Sequence, residues 1–172
     1  MKTEYLAGAI VASVIGGGLL GTAAADNASI ELLIKPLVVG VQDPLDFGQV
    51  AAGPTPGTVS VTPTPGTTNR SSTGGVDVVT ASGFQALHAD VEGQPGYTYE
   101  VVEPTEITVE DGFGNSMLID NIVTVADSGT GGLYILDSLG FHGFKLGGTL
   151  NVGANQPAGT YEGTFDIIVE YE

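Results

Sequence analysis

Along most of the chain, apolar residues recur at every second position between short clusters of Gly, Pro, Asn and Asp. An extended chain sends successive side chains to opposite faces, so this period predicts half-buried β-strands. The clearest case is "GTYEGTFDIIVEYE", residues 159–172. Tyr161, Phe165, Ile167, Val169 and Tyr171 fall on one face, whereas the other is polar apart from Ile168. Upstream, "TVSVTP", "VDVVT", "FQALHADV", "YTYEVV", "EITVED" and "LYILD" read as strands, and "GFKLGGTLNVG" as a strand kinked at Gly147 and Gly148. "SMLIDNIVTV" predicts a strand pair or one bent strand. "AAGPTPG" (residues 51–57) and residues 64–75 predict loops, the second long and exposed. The count is about nine to eleven short strands at the spacing of an immunoglobulin-like antiparallel β-sandwich, an all-β fold.

The N-terminus follows another rule. "LAGAIVASVIGGGLLG" has no charge, follows Lys2, and leads to "AAA" before Asp26. This predicts a secretory signal over residues 1–25, cut after Ala25. The run is too short and Gly-rich for a membrane span, which takes roughly 20 apolar residues. Residues 26–43 then form an N-terminal extension, and residues 44–172 the sandwich. Within the extension "ASIELLIKPLVVGV" is strand-like, and Pro36 confines it to an edge or irregular position.

Four Lys and Arg stand against twenty Asp and Glu, a formal net charge of −16. Nucleic acid and anionic membranes are therefore poor partners, because phosphate contacts need cations. Cysteine is absent, so no disulfide supports the core.

Little in the chain points to catalysis. The two histidines, His88 in an apolar strand and His142 in an expected loop, read as packed or surface residues, and no metal cluster or cofactor is expected. "EDGFGN", containing Asp111, and "ADSGTGG", containing Asp127, offer oxygen-rich loops to calcium, but Asp and Asn are equally the residues of tight turns. Asn27 and Asn69 match the glycosylation acceptor pattern.

"PLDFGQVAAG", "SSTGGV", "GQPGYTYEV" and "GGTLNVGANQPAGTYEGTFDIIVEY", spread over residues 44–171, resemble an uncharacterised family of small secreted bacterial β-sandwich domains. That family is similar in layout to the archaic and spore-coat group of chaperone–usher pilus subunits. The closing strand resembles the C-terminal strand of such subunits: Tyr171 is penultimate, and Gly159 is fourteenth counting Glu172 as first. The resemblance implies a pilin-like sandwich that lacks one strand and is completed by donor-strand exchange. Gly159, Tyr161, Phe165, Ile167, Val169 and Tyr171 would then form the chaperone and assembly strand. The partners implied are other copies of the chain in a homopolymer, a periplasmic chaperone and an outer-membrane usher. The place implied is the cell surface, in a fimbrium.

Ile30, Leu32 and Ile34 alternate as the anchors of a donor strand should. Residues 28–41 equally suit the first strand of a complete sandwich, and the sequence leaves both readings open. The expected function is a non-enzymatic structural subunit of an extracellular fibre, pilus or surface matrix. The alternative is a monomeric secreted binding or adhesin module that contacts calcium or glycan through the loops around Asp111 and Asp127.

Overall fold

A computed structural model describes residues 34–127 and 134–172. The chain divides into two units, residues 1–34 and 35–172, and of the first only Ile34 is described. Among the described residues there are nine strands: β1 (Val38–Asp43), β2 (Val50–Thr64), β3 (Thr67–Val78), β4 (Leu87–Glu92), β5 (Tyr99–Val102), β6 (Ile107–Glu110), β7 (Ser116–Ala126), β8 (Phe141–Val152) and β9 (Ile168–Tyr171). Every pairing is antiparallel. The fold is an all-β sandwich.

β8 organises the larger sheet. It pairs with β4 over Phe141 to Leu146 and with β2 over Gly148 to Val152, while β7 runs along its other margin. The sheet order is β1-β4-β8-β2-β3, with β7 on β8 and β6 on β7. The change of partner falls at the Gly147–Gly148 pair, where the sequence predicts a kink. A Cβ at Gly147 would collide with the carbonyl oxygen of Val61, so only glycine lets β2 approach there. β7 is one bent strand: its register on β8 shifts between Asp120 and Val123, and Asn121 takes a positive φ of 46°.

Two expected loops are strands instead. β2 begins at Val50 and passes through Pro54 and Pro56, and β3 occupies Thr67–Val78, its first nine residues in the stretch expected to be a long exposed loop and its last three in the expected strand "VDVVT". The prolines are tolerated because they lie where the register shifts between Ala52 and Gly57, so no ladder bond is asked of them. β3 escapes the alternation rule because Thr68, Arg70 and Ser72 occupy its inward face. Pro65 and Gly66 turn the hairpin, Gly66 with φ 83°, as the third position of a type II turn requires.

Two buried clusters fill the sandwich. Val59, Val61, Val76, Ile107, Ile119 and Leu150 belong to one. The other joins Leu87, Ala89 and Val91 of β4 and Phe144 and Leu146 of β8 to Tyr99 of β5 and to Leu136. The β5–β9 sheet thus packs over the β4–β8 half of the larger one.

Candidate functional site

The closing run, residues 161–171, lies along one margin of the sandwich. Glu162 and Glu110 exchange backbone hydrogen bonds at 2.9 and 3.0 Å, which sets the start of the run beside β6. Further on, Ile168 to Tyr171 pair with Val102 to Tyr99, which sets its end beside β5. The run therefore passes antiparallel to β6 and then to β5. Its sequence alternation survives in space: Tyr161, Phe165, Ile167, Val169 and Tyr171 are half-buried against the two clusters, and the residues between them are exposed. Phe165 touches both clusters. Gly159 is exposed, and a Cβ there would meet Asp111 only at ordinary van der Waals distance.

Only one margin of this run is bonded among the described residues. The Glu172 amide donates to the Thr98 carbonyl at 3.3 Å. In an antiparallel ladder bonding groups alternate in direction, so the amides of Val169 and Tyr171 point away from β5, toward the free side. Residues 163–167 belong to no ladder. The margin of the larger sheet on this side is β1, which among the described residues pairs only with β4. Leu37, Val39 and Leu45 are half-buried against the same cluster as Phe165, Ile167, Val169 and Tyr171. Two lips, one from each sheet, thus share one core and leave it part-exposed.

Tyr171 draws the lips together at one end. Its hydroxyl donates to the Lys35 carbonyl at 2.6 Å and accepts from the Gln94 amide at 2.6 Å. A Cβ at Gly93 would meet that hydroxyl at 2.5 Å, Leu37 at 2.7 Å and Leu136 at 2.8 Å. The Tyr97 ring stands edge-on to Tyr171, with centroids 5.8 Å apart. The sequence singled out Tyr171 as an apolar anchor; its role as a hydrogen-bonding bridge carries no sequence signal, because Lys35 and Gln94 are distant in the chain. Ile34 is 44 % exposed, and Ile30 and Leu32 lie outside the described residues.

The other candidate groups separate. His88 sits on the outer face of β4 with Nε2 2.6 Å from Asp127 Oδ2, 3.8 Å from Asp90, and Nδ1 3.9 Å from Asp43. Lys145 Nζ is 3.7 Å from the second Asp127 oxygen. The His88–Asp90 pairing was readable from their spacing on one strand; Asp127 comes from the end of β7 and was not. His142 faces inward instead, buried on β8 rather than in the expected loop, with Nδ1 hydrogen-bonded to the Tyr99 hydroxyl at 2.7 Å. The two histidines therefore occupy opposite faces of one sheet.

Asp111 closes a turn. Its Oδ1 accepts from the amides of Phe113 and Asn115 at 2.8 and 3.1 Å, and its Oδ2 from the Asn115 side chain at 2.6 Å. These bonds, the Asn115 side chain foremost, hold its carboxyl below the usual carboxylate range. Asp111 and Asp127 flank opposite ends of β7, roughly 35 Å apart at ~3.3 Å per residue, so their loops form no joint ion site. Among the described residues, no group of three or more His, Asp or Glu is placed to hold a metal ion. Nor does any described helix have the length and apolarity to cross a membrane.

A sequence profile for a domain of unknown function, DUF4402, matches residues 38–171, from the first residue of β1 to the last of β9. No curated protein and no solved structure matches the chain.

Proposed function

The chain belongs to the DUF4402 domain family, which carries no known function, and from the geometry of its open margin we propose that it is a non-enzymatic structural subunit of an extracellular fibre, pilus or surface matrix. In this reading a secreted subunit offers the free side of residues 161–171 to an extended segment of a second copy. The segment is the stretch that holds Ile30, Leu32 and Ile34. A periplasmic chaperone holds the same margin before assembly and an usher passes the subunit outward.

The observation that carries the reading is the half-burial of Phe165, Ile167 and Val169 beside a margin with no ladder among the described residues. A strand laid there would satisfy outward-pointing amides and cover those side chains at once, which is how strand addition combines affinity with specificity. Each fully buried anchor contributes roughly 1.5–3 kcal/mol. The β1–β4 pairing places residues 38–43 in their own sheet, so the exchangeable part lies ahead of Pro36. The monomeric calcium-binding alternative has less support, since Asp111 spends its carboxylate on its own turn.

The test compares the signal-free chain with one that also lacks residues 26–34, keeping Lys35 for its bond to Tyr171. Electron microscopy should find fibres of the first and only monomers of the second. Fibres from the truncated chain would end the proposal.

A further inference from the structure

The outer face of the larger sheet divides in two. Over β1, β4 and the first half of β8 it carries Asp43, His88, Asp90, Glu92 and Lys145. Over β3, β2 and the second half of β8 it carries hydroxyls and amides. Register builds this half in rows across three strands: Thr73, Thr58 and Asn151, then Ser71, Ser60 and Thr149. None of these six side chains is charged, in a chain of net −16. The only cation of β3, Arg70, turns inward, where its guanidinium donates to the Phe47 and Val79 carbonyls. Carboxylates stand just outside the rows, at Asp120 opposite Thr149 on β7 and at Asp77 farther along β3.

The rows are held rigidly. Thr58 and Thr73 share a hydrogen bond between hydroxyls at 2.8 Å, and Ser60 and Thr149 share one at 2.9 Å. The Asn151 amide donates to the Leu118 carbonyl at 3.3 Å, leaving its side-chain oxygen to the surface. At one end the face sinks into an open depression of about 420 Å³, lined by Pro56, Gly57, Thr58, Asn151, Val152 and Gly153. That size lies within the range of small-molecule sites. Its polar groups are the Thr58 hydroxyl and the Asn151 amide, and its apolar surface comes from Pro56 and the bare backbone of Gly57 and Gly153, Val152 sending its side chain into the core beneath. Gly57 is fixed by packing, because a Cβ there would strike the Thr73 carbonyl oxygen.

We propose that this depression and the two hydroxyl rows leading from it bind a neutral polysaccharide. The chemistry selects the class. An anionic polymer finds no cation on this half of the face, the Lys145 of the other half being paired with Asp127, and is repelled by the flanking carboxylates, while an apolar partner would strip water from hydroxyls that it cannot satisfy. A neutral sugar chain brings hydroxyls that both donate and accept, matching Thr, Ser and Asn groups fixed at strand spacings of ~4.8 Å across the sheet and ~6.8 Å along it. One ring fits the depression, C–H groups toward Pro56, and the chain continues over Thr149 and Ser60. The rows lie on the outer face of the sheet, whereas the side chains of the closing run pack on its inner side, so a fibre would display one such surface per subunit.

Isothermal titration of the full chain with cellohexaose and isomaltohexaose tests this, with hexagalacturonate as the anionic control. At least one neutral hexasaccharide should bind and the galacturonate should not. Asn151→Leu and Thr149→Val, each checked for native circular dichroism, should weaken binding about ten-fold, the loss of one good polar contact. Asp90→Asn, on the charged half, should leave it unchanged. The proposal is overturned if neither neutral probe binds, if the galacturonate binds more tightly, or if both folded variants bind like the parent. Because none of these changes touches residues 26–34 or 161–171, failure here leaves the assembly reading standing, and the truncation test leaves this one standing.

Discussion

The Tyr171 hydroxyl donates to the Lys35 carbonyl at 2.6 Å, joining residues 136 positions apart. The same oxygen accepts from Gln94, so one side chain pins the entry to β1, the turn after β4 and the end of β9. Tyr171→Phe keeps the ring against Leu37 and Leu136 but leaves an amide and a carbonyl without this partner. We expect a loss of about 1–3 kcal/mol, seen as a lower urea midpoint with an unchanged slope. An unchanged midpoint would mean that water replaces the bridge without loss.

Tyr99 supplies a pH test. Burial, with smaller contributions from Tyr134 and Asp127, raises its hydroxyl pKa well above the ordinary Tyr value near 10. The folded chain thus favours the neutral phenol. That stability is fully present below about pH 10 and is lost as pH rises from there toward the folded value. Denaturant midpoints measured from pH 8 to 12 should fall steeply for the parent. Tyr99→Phe should fall less steeply while starting lower, since it gives up the bond to His142.

Asp111 and Asp137 have the opposite sign. Backbone amides of Phe141 and Leu139 hold Asp137 below the usual range, as the Asn115 side chain and two amides hold Asp111. Their contribution is present above the ordinary carboxylate pKa and lost as pH falls through the lowered one. Asp111→Ala should lower the hydrogen-exchange protection factors of the Phe113 and Asn115 amides at neutral pH, and acid should do the same to the parent once each rate is divided by its intrinsic value at that pH. Phe113, 92 % exposed between Gly112 and Gly114, should then lose its fixed place at the hairpin tip.

Arg70 holds the segment between β3 and β4. Its guanidinium reaches the Phe47 and Val79 carbonyls at 2.9 and 2.8 Å and lies 4.7 Å from the Phe84 ring centroid. Arg70→Met keeps the stem and loses the fork, leaving the part-buried Phe47 carbonyl without this donor while the Val79 carbonyl keeps its bonds from Ser82. A destabilisation of about 2–4 kcal/mol is expected in chemical melts, with hydrogen exchange rising first at Ser82, whose amide is bonded to Val79.

How far these features were legible depends on which force wrote them. Where one face is buried and the other wet, alternation placed the strand, as for β4, β6, β8 and β9, though the closing run pairs as a strand only over Ile168–Tyr171. Where a strand is polar on both faces the signal vanishes, which hid β3. Where proline sits at a register shift the usual breaker rule misleads, which hid the start of β2. The half-buried positions of the closing run follow from its period. The Lys35–Tyr171 bridge, the His88–Asp127 pair and the Thr58–Asn151 depression join residues far apart in the chain, and pattern alone does not carry such contacts.

Tying Lys35 to Tyr171 has a kinetic cost. The contact spans nearly the whole domain sequence, and contacts of long sequence separation close large loops and slow folding. In synthesis the bridge cannot form until residue 171 has left the ribosome, so the two lips stay unlatched until nearly all of the domain is available to fold.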